Sequence, residues 1–217
     1  MDRLRDRAEA GRKLARRLEP LHLDHPLVVA LPRGGVPVGV EIAQALSAPL
    51  DVLVVRKLGA PGNPEFGLGA VGEDGAQVLD PESLAAAGYS ESDLSAVIRQ
   101  EKAEVERRIR VYRAVRPPVD RRDRTVILVD DGAATGGTAT MAARLLRAQG
   151  ARRLVIALGV APPDTCRLLA READDLIVLI RPAHFYAVGQ FYEEFDPVDE
   201  AEVLRLLERA SKASGPG

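Results

Sequence analysis

The sequence predicts an α/β protein with a doubly wound, mostly parallel five-stranded sheet and helices on both of its faces. Its five apolar runs are continuous rather than alternating, which is typical of strands that are covered on both sides. Segments with apolar residues three or four positions apart alternate with these runs, and that spacing predicts helices. The predicted strands are 27–31, 51–55, 125–129, 154–160 and 176–180.

The segments between the strands predict helices, a loop and a hairpin. The first helical segment has an apolar face and a basic face, and the long charged segment 90–115 has one apolar stripe, as surface helices do. The Gly/Pro-rich stretch 58–64 predicts a loop. The turn at 73–75 separates two apolar stretches and predicts a β-hairpin. The predicted helices are 2–19, 36–47, 90–115, 138–149, 163–173 and 199–210.

Composition indicates one domain over the 217 residues, with a core at 27–180, a small C-terminal hood at 181–198 and the two terminal helices packed on it. The net charge is -2, which argues against a general nucleic-acid-binding surface. No apolar run reaches the ~18 residues of a membrane span. The single cysteine, Cys166, excludes an internal disulfide, so we expect a cytoplasmic protein in which Cys166 is a buried helix residue.

One strand runs into two acids, Asp130 and Asp131, and then into a loop of small residues before a helix. Small residues let the backbone approach a ligand, and a helix N-terminus attracts anions. The acids suit sugar hydroxyls or a divalent cation. This segment therefore predicts a sugar-phosphate site, and a P-loop is excluded because Thr138 stands where that motif needs lysine. The predicted phosphate loop is Ala134, Thr135, Gly136, Gly137 and Thr138.

A second anion site is predicted at the ends of the first two strands. Arg33, Gly34 and Gly35 follow the first strand, and the glycine N–H groups could form a nest for an anion. Arg56 and Lys57 follow the second strand and would be costly without an anionic partner. Three cations beside a phosphate loop suit pyrophosphate.

Aromatic residues are concentrated between 181 and 195, although Phe, Tyr and Trp make up only 4% of the chain. They could stack a flat acceptor, or they could form a small satellite core under the last helix. The acceptor candidates are Phe185, Tyr186, Phe191 and Tyr192. His184 is more typical of a structural or exposed histidine than of a catalyst. The GxGxxG match at 67–72 lies in the predicted hairpin and fails the context of a dinucleotide site.

The segment VILVDDGAATGGT (126–138) resembles the signature of type I phosphoribosyltransferases. ALPRGG, VVRKLGAPGNPEFGLGAVGE and FYAVGQFYEEF resemble a bacterial subgroup of that family whose acceptor is unassigned. The resemblance implies binding of phosphoribosyl pyrophosphate, transfer of its phosphoribosyl group to a base-like acceptor, a Mg²⁺ cofactor and a homodimer. It implies neither a membrane nor a nucleic-acid partner.

The resemblance also implies roles for the predicted site residues. Asp130 and Asp131 would bind the ribose 2- and 3-hydroxyls, directly or near Mg²⁺, and 134–138 would wrap the 5-phosphate. Arg33, Gly34 and Gly35 would form the pyrophosphate loop, often with a non-proline cis peptide, and Lys57, with Arg56, would face pyrophosphate. The segment 58–78 would be a flexible loop that closes over the reaction.

Two points remain open from the sequence. Enzymes for 6-oxopurines usually carry an acid where this chain has Ala134, and an alanine there resembles the adenine type instead. A general base, if one is needed, would have to come from elsewhere in the chain. The candidates are Glu65 and Glu73. The alternative function is a non-catalytic regulator that senses phosphoribosyl pyrophosphate or a nucleotide and binds RNA or DNA. Its basic face would be Arg107, Arg108, Arg110 and Arg113.

Overall fold

A computed structural model describes residues 3–213, including all of their side chains except those of residues 64–66, 74, 212 and 213. Its strands are β1 (Pro26–Ala30), β2 (Leu50–Val52), β3 (Arg56–Ala60), β4 (Asn63–Val71), β5 (Gln77–Leu79), β6 (Thr125–Gly132), β7 (Arg153–Val160) and β8 (Asp175–Ile180). Five of them form a parallel sheet in the order β2-β1-β6-β7-β8, and β3-β4-β5 form a separate antiparallel sheet. The predicted fold class is confirmed.

The central strands are covered on both faces, which explains their continuous apolar sequences. In β1, Val28 and Ala30 belong to one hydrophobic cluster, whereas Leu27 and Val29 belong to another. Successive side chains of a strand point to opposite faces, so the two clusters lie on the two sides of the sheet. A strand with two buried faces needs apolar residues at every position.

The helices are α1 (Arg7–Leu18), α2 (Gly35–Ala45), α3 (Pro81–Ala87), α4 (Ser95–Arg113), α5 (Gly137–Ala148), α6 (Pro163–Leu169) and α7 (Glu200–Ala213). The helix predicted from residue 2 begins only at Arg7, because the Asp6 carboxylate caps it by accepting from the N–H of Glu9. Helix α3, which Asp80 caps in the same way, was not predicted from the sequence. Within residues 3–213 no helix has both the length and the apolar character needed to cross a membrane.

The segment around 58–64 is not the loop that its glycines and prolines predicted. It supplies β3 and the start of β4, and a turn lies between them, where Gly62 has a φ of +80°. Leu58 and Leu68 are fully buried in the main core, and this burial favours strand pairing over the local composition. The second hairpin, β4 and β5 around 73–75, is as predicted.

The strand order creates a point at which ligands commonly bind. From β1 the chain passes through α2 to β2 on one side, whereas β6 lies on the other side of β1. At such a switch the loops after the two central strands diverge and leave a crevice at their carboxyl ends. Here those loops are residues 31–34, between β1 and α2, and residues 133–136, between β6 and α5.

Candidate functional site

The acid pair lies at the carboxyl end of β6, in the crevice beside β1. The strand continues through Asp130 and Asp131 to Gly132, three residues beyond the predicted end. Asp131 is 9% exposed, and its backbone N–H donates to Asp130 Oδ1 at 2.9 Å. The two acids thus follow each other at the end of β6, and this bond ties the Asp130 carboxylate to the backbone of the strand.

Burial raises the pKa of both carboxyl groups of the pair. It raises the pKa of Asp130 well above its ordinary value, and the neighbouring charge of Asp131 raises that pKa further. Burial also raises the pKa of Asp131, but Arg7 opposes this because its guanidinium donates to the carboxylate. The pKa of both carboxyl groups is therefore raised, and Arg7 opposes the effect at Asp131.

The predicted pyrophosphate loop rests directly on these acids. A β-carbon at Gly34 would overlap the Asp131 carboxylate, and one at Gly35 would lie 2.6 Å from the carbonyl oxygen of Val129. At both positions a β-carbon would come too close to its neighbour, so neither residue can carry a side chain. The two glycines are therefore required for the loop to approach the acid pair.

The same loop carries Arg33, which lines an open pocket together with Arg107, Arg108 and Glu200, and its role at pyrophosphate stays a prediction. The Pro32–Arg33 peptide is cis, as the family resemblance implied, and the Arg33 side chain is exposed. The Gly35 N–H, expected to help form an anion nest, instead donates to the carbonyl of Leu31 at 3.0 Å. That part of the prediction is corrected, because the N–H is used to close the turn before α2.

The predicted phosphate loop leads into the N-terminus of α5. Gly136 precedes the helix with a φ of +77°, a conformation that favours glycine, and no side chain caps the helix start. The first N–H groups of α5 therefore face outward with the positive end of the helix dipole. Thr165 of α6 anchors the loop, because its hydroxyl donates to the carbonyl of Ala134 at 2.5 Å. The exposed members of the loop are Ala134, Thr135 and Thr138.

Arg56 and Lys57 do not end a strand of the parallel sheet. The second strand stops at Val52, and the two cations open β3 of the antiparallel sheet. Arg56 Nε donates to Glu101 of α4 at 2.7 Å, so this cation already has an anionic partner and does not require a ligand. The Lys57 side chain lies against Gly67 of β4. Their role at pyrophosphate stays a prediction.

Arg7 is a member of the site that the sequence analysis did not single out. It comes from α1, 124 positions before Asp131, and its Nε donates to Asp131 Oδ2 at 2.8 Å. In the sequence it is one of many arginines on the basic face of the first helix. The tertiary fold alone distinguishes it from the others.

The hood separates the aromatic candidates into two groups. Phe191 and Tyr192 are 0% and 1% exposed and belong to the main hydrophobic core, so they form no separate satellite core and offer no face to a flat ligand. This corrects their assignment as acceptor residues. Phe185 stacks on Phe191 with the ring centroids 5.8 Å apart, whereas Tyr186 is 86% exposed. Of the four aromatic residues predicted to contact the acceptor, Phe185 and Tyr186 stay candidates.

These two aromatic residues face the phosphate loop across an open cleft of about 610 Å³. Its walls include Ala134, Thr135, Thr165, Leu168, Phe185 and Tyr186. The cleft thus joins the predicted 5-phosphate site to the exposed part of the hood. A flat ring could lie between them.

A sequence model described as the phosphoribosyl transferase domain matches residues 2–195. The chain belongs to the phosphoribosyl transferase family. A relative in Mycobacterium tuberculosis (strain ATCC 25618 / H37Rv), named "Putative phosphoribosyl transferase Rv0571c", is 44% identical over 207 residues. Those residues are 95% of this chain and 47% of the relative, so the chain spans about half the length of the curated relatives it matches.

Solved structures give the same family fold. The protein TT1426 from Thermus thermophilus is 44% identical, with a TM-score of 0.89 over 95% of this chain and 98% of that chain. A hypothetical protein from Neisseria gonorrhoeae with bound ppGpp is 12% identical, with a TM-score of 0.51 over 96% of each chain, and shows the fold alone. The resemblance to type I phosphoribosyltransferases drawn from the acid-pair signature is confirmed.

Glu73 is not the mobile loop acid that its sequence context suggested. It is 4% exposed, and its Oε2 accepts from Arg113 Nη2 at 2.6 Å. Burial raises its pKa, and this outweighs the attraction of Arg113. Glu73 therefore anchors the antiparallel sheet to α4, and its burial opposes a role as general base. The side chain of Glu65, the other candidate, lies outside the described residues.

Proposed function

We propose that the protein transfers the 5-phosphoribosyl group of phosphoribosyl pyrophosphate to a nitrogenous base or related acceptor and releases pyrophosphate. The observation that carries the proposal is the placement of Asp131. Its carboxylate lies against Gly34 of the loop after β1, and the strand that bears it leads directly to the uncapped N-terminus of α5. Sites for two anions thus flank one site for sugar hydroxyls.

The proposal gives each part of the substrate a binding position, and the geometry of the two loops supports it. The N–H groups at the start of α5 and the hydroxyls of Thr135 and Thr138 hold the 5-phosphate. Asp131 accepts hydrogen bonds from the ribose hydroxyls. Arg33 and the cis loop hold the pyrophosphate. Binding at both ends fixes the ribose so that C1 faces the cleft below Tyr186, and this positioning supplies much of the rate.

The transfer breaks the bond between C1 and the pyrophosphate oxygen and forms one between C1 and an acceptor nitrogen. The oxygen leaves with the bonding electron pair, and the nitrogen later loses a proton to solvent. Negative charge grows on the leaving oxygen, where Arg33 stabilises it. Ala134 stands at the position where enzymes for 6-oxopurines usually carry an acid, so a 6-oxopurine acceptor is disfavoured.

The acid pair fits a magnesium ion that arrives with its ligand. Among the residues described, no group of three or more His, Cys, Asp or Glu side chains could hold a metal. Mg²⁺ in phosphate sites is commonly bound by one or two carboxylates together with phosphate oxygens and waters, which Asp130 and Asp131 match. When bound, Mg²⁺ supplies positive charge to the pyrophosphate.

The basic face suggested for a regulator that binds RNA or DNA is partly neutralised within the fold. Arg113 does not lie on a free basic face, because it is 13% exposed and pairs internally with Asp51 and Glu73. Arg107 and Arg108 both donate to Glu104, which neutralises part of their charge. The transferase is therefore the favoured function. We infer that the protein is cytoplasmic and forms a homodimer, and light scattering of the purified protein tests the homodimer.

Calorimetric titration with phosphoribosyl pyrophosphate and Mg²⁺ tests the proposal. We expect micromolar binding by the wild type and its loss in Asp130→Asn/Asp131→Asn. Asp120→Asn/Asp123→Asn is the matched control, because it removes two exposed acids from the loop before β6 and should bind as the wild type does. A screen of bases for pyrophosphate release then identifies the acceptor. A folded wild type that does not bind overturns the proposal.

A further inference from the structure

Arg7 makes three contacts that join separate parts of the molecule. Its Nε donates to Asp131 Oδ2 at 2.8 Å, and its Nη1 donates to the carbonyl of Asp196 at 2.8 Å. Its guanidinium carbon also lies 3.8 Å from the centre of the Phe195 ring. The Arg7 and Asp131 side chains are each only 12% exposed. The guanidinium is thus held on two polar partners and one aromatic face.

The chain before Arg7 is attached to the hood, which determines where the arginine can reach. The Leu4 N–H donates to the carbonyl of Phe191, and the Leu4 carbonyl accepts from Glu193, each at 2.8 Å. The Arg5 carbonyl accepts from Glu194 at 2.8 Å. This short ladder ends at the Asp6 cap, so Arg7 is the first helical residue and starts beside the hood.

The hood also holds Asp131 from its backbone side. The hydroxyl of the buried Tyr192 donates to the Asp131 carbonyl at 2.7 Å. With Arg7 on Oδ2 and Gly34 packed against the carboxylate, the Asp131 side chain has one defined orientation. Oδ1 is then the carboxylate oxygen not bonded to Arg7, and it can accept from a ligand hydroxyl.

We propose that Arg7 is a positioning residue that orients the Asp131 carboxylate for the ribose hydroxyls and thereby connects the hood to the sugar site. The inference rests on the proposed function, since it assumes that Asp131 binds ribose. Arg7 acts through Asp131 and does not touch the ligand. Replacement of Arg7 should therefore weaken the binding of ligands that carry the ribose hydroxyls and leave the binding of other ligands unchanged.

Two probes separate these ligands. Ribose 5-phosphate carries the hydroxyls, whereas inorganic pyrophosphate occupies only the other anion site. For Arg7→Gln we expect an increase of about tenfold or more in the Kd for ribose 5-phosphate, because one charge-assisted hydrogen bond no longer fixes its partner. The Kd for pyrophosphate should change less than about twofold. Arg7→Lys keeps the charge but not the planar fork, and should restore part of the affinity.

Arg12→Gln is the matched control. Arg12 lies on the same helix and forms an exposed ion pair with Glu41 at 3.2 Å, away from the acid pair. This variant should bind both probes as the wild type does. If Arg7→Gln does not fold, Arg7→Lys gives the decisive comparison of the two probes.

A double-mutant cycle tests whether Arg7 acts through Asp131. If it does, Arg7→Gln should add little to the loss already caused by Asp131→Asn. Additive losses overturn the inference, as does an equal loss for both probes or wild-type affinity in a folded Arg7→Gln. Wild type that binds neither probe overturns the proposed function and this inference together, whereas normal wild-type binding with an unaffected variant overturns only the role of Arg7.

Discussion

A buried charge network gives the sharpest test of how this fold is held together. Arg113 of α4 donates from Nη1 to Asp51 of β2 at 2.5 Å and from Nη2 to Glu73 at 2.6 Å. Asp51 is fully buried and Glu73 nearly so. Burial lowers the pKa of Arg113, but the attraction of the two carboxylates outweighs it, so its pKa is raised. Arg113→Met removes the charge and keeps a side chain of similar length.

The expected loss of unfolding free energy in Arg113→Met depends on the partners that Asp51 and Glu73 keep. Removing one partner of a buried ion pair costs about 3–5 kcal/mol, because the other charge is left buried and unpaired. Here Arg121 still donates to Asp51 at 3.1 Å but lies 4.0 Å from Glu73. We therefore expect the lower end of that range, about 3 kcal/mol less free energy of unfolding. That is a large part of the stability of a typical domain.

Urea unfolding at pH 7, followed by circular dichroism, measures this loss. Arg107→Met is the matched control, since Arg107 lies on the same helix and pairs with Glu104 at the surface. Its free energy of unfolding should stay close to that of the wild type. A loss below about 1 kcal/mol in Arg113→Met, the value typical of exposed ion pairs, would refute the reasoning.

Three further predictions concern two contacts of Asp131 and the buried Glu73. Tyr192→Phe should lower the free energy of unfolding by about 1–3 kcal/mol in urea, because the Asp131 carbonyl loses its donor in a buried position. Gly34→Ala should abolish calorimetric binding of phosphoribosyl pyrophosphate, because the new β-carbon overlaps the Asp131 carboxylate. Burial raises the pKa of Glu73 above 4.5, so its contribution to stability should decline as the pH rises from 4.5 through the raised value. Glu73→Gln should lack this decline when its urea unfolding is compared with that of the wild type across pH.

Each of these has a clear contrary result. Wild-type stability in Tyr192→Phe would show that the carbonyl does not depend on the phenol. Normal binding by Gly34→Ala would show that the loop can move off the acid pair. A difference in stability between Glu73→Gln and the wild type that stays constant with pH would show that Glu73 titrates alike in the folded and unfolded states.

Local features of the sequence determined most of the architecture. The continuous apolar runs predicted the five parallel strands within a few residues, because burial on both faces demands apolar side chains at every position. The acids and small residues at 130–138 predicted a phosphate loop, because a helix start and its preceding turn are encoded by neighbouring residues. Periodicity could not predict β3, since Leu58 gains its burial from distant partners.

Only the tertiary structure decided which side chains serve the site. Arg7 reaches Asp131 across 124 positions, and nothing in its neighbourhood distinguishes it from the other arginines of α1. Glu73 and Arg113 resemble surface charges in the sequence but neutralise each other inside the fold. Phe191 and Tyr186 are both aromatic residues of the hood, but Phe191 is fully buried whereas Tyr186 is 86% exposed. Burial and ion pairing depend on contacts between segments that are far apart in the chain, and local sequence patterns carry no record of those contacts.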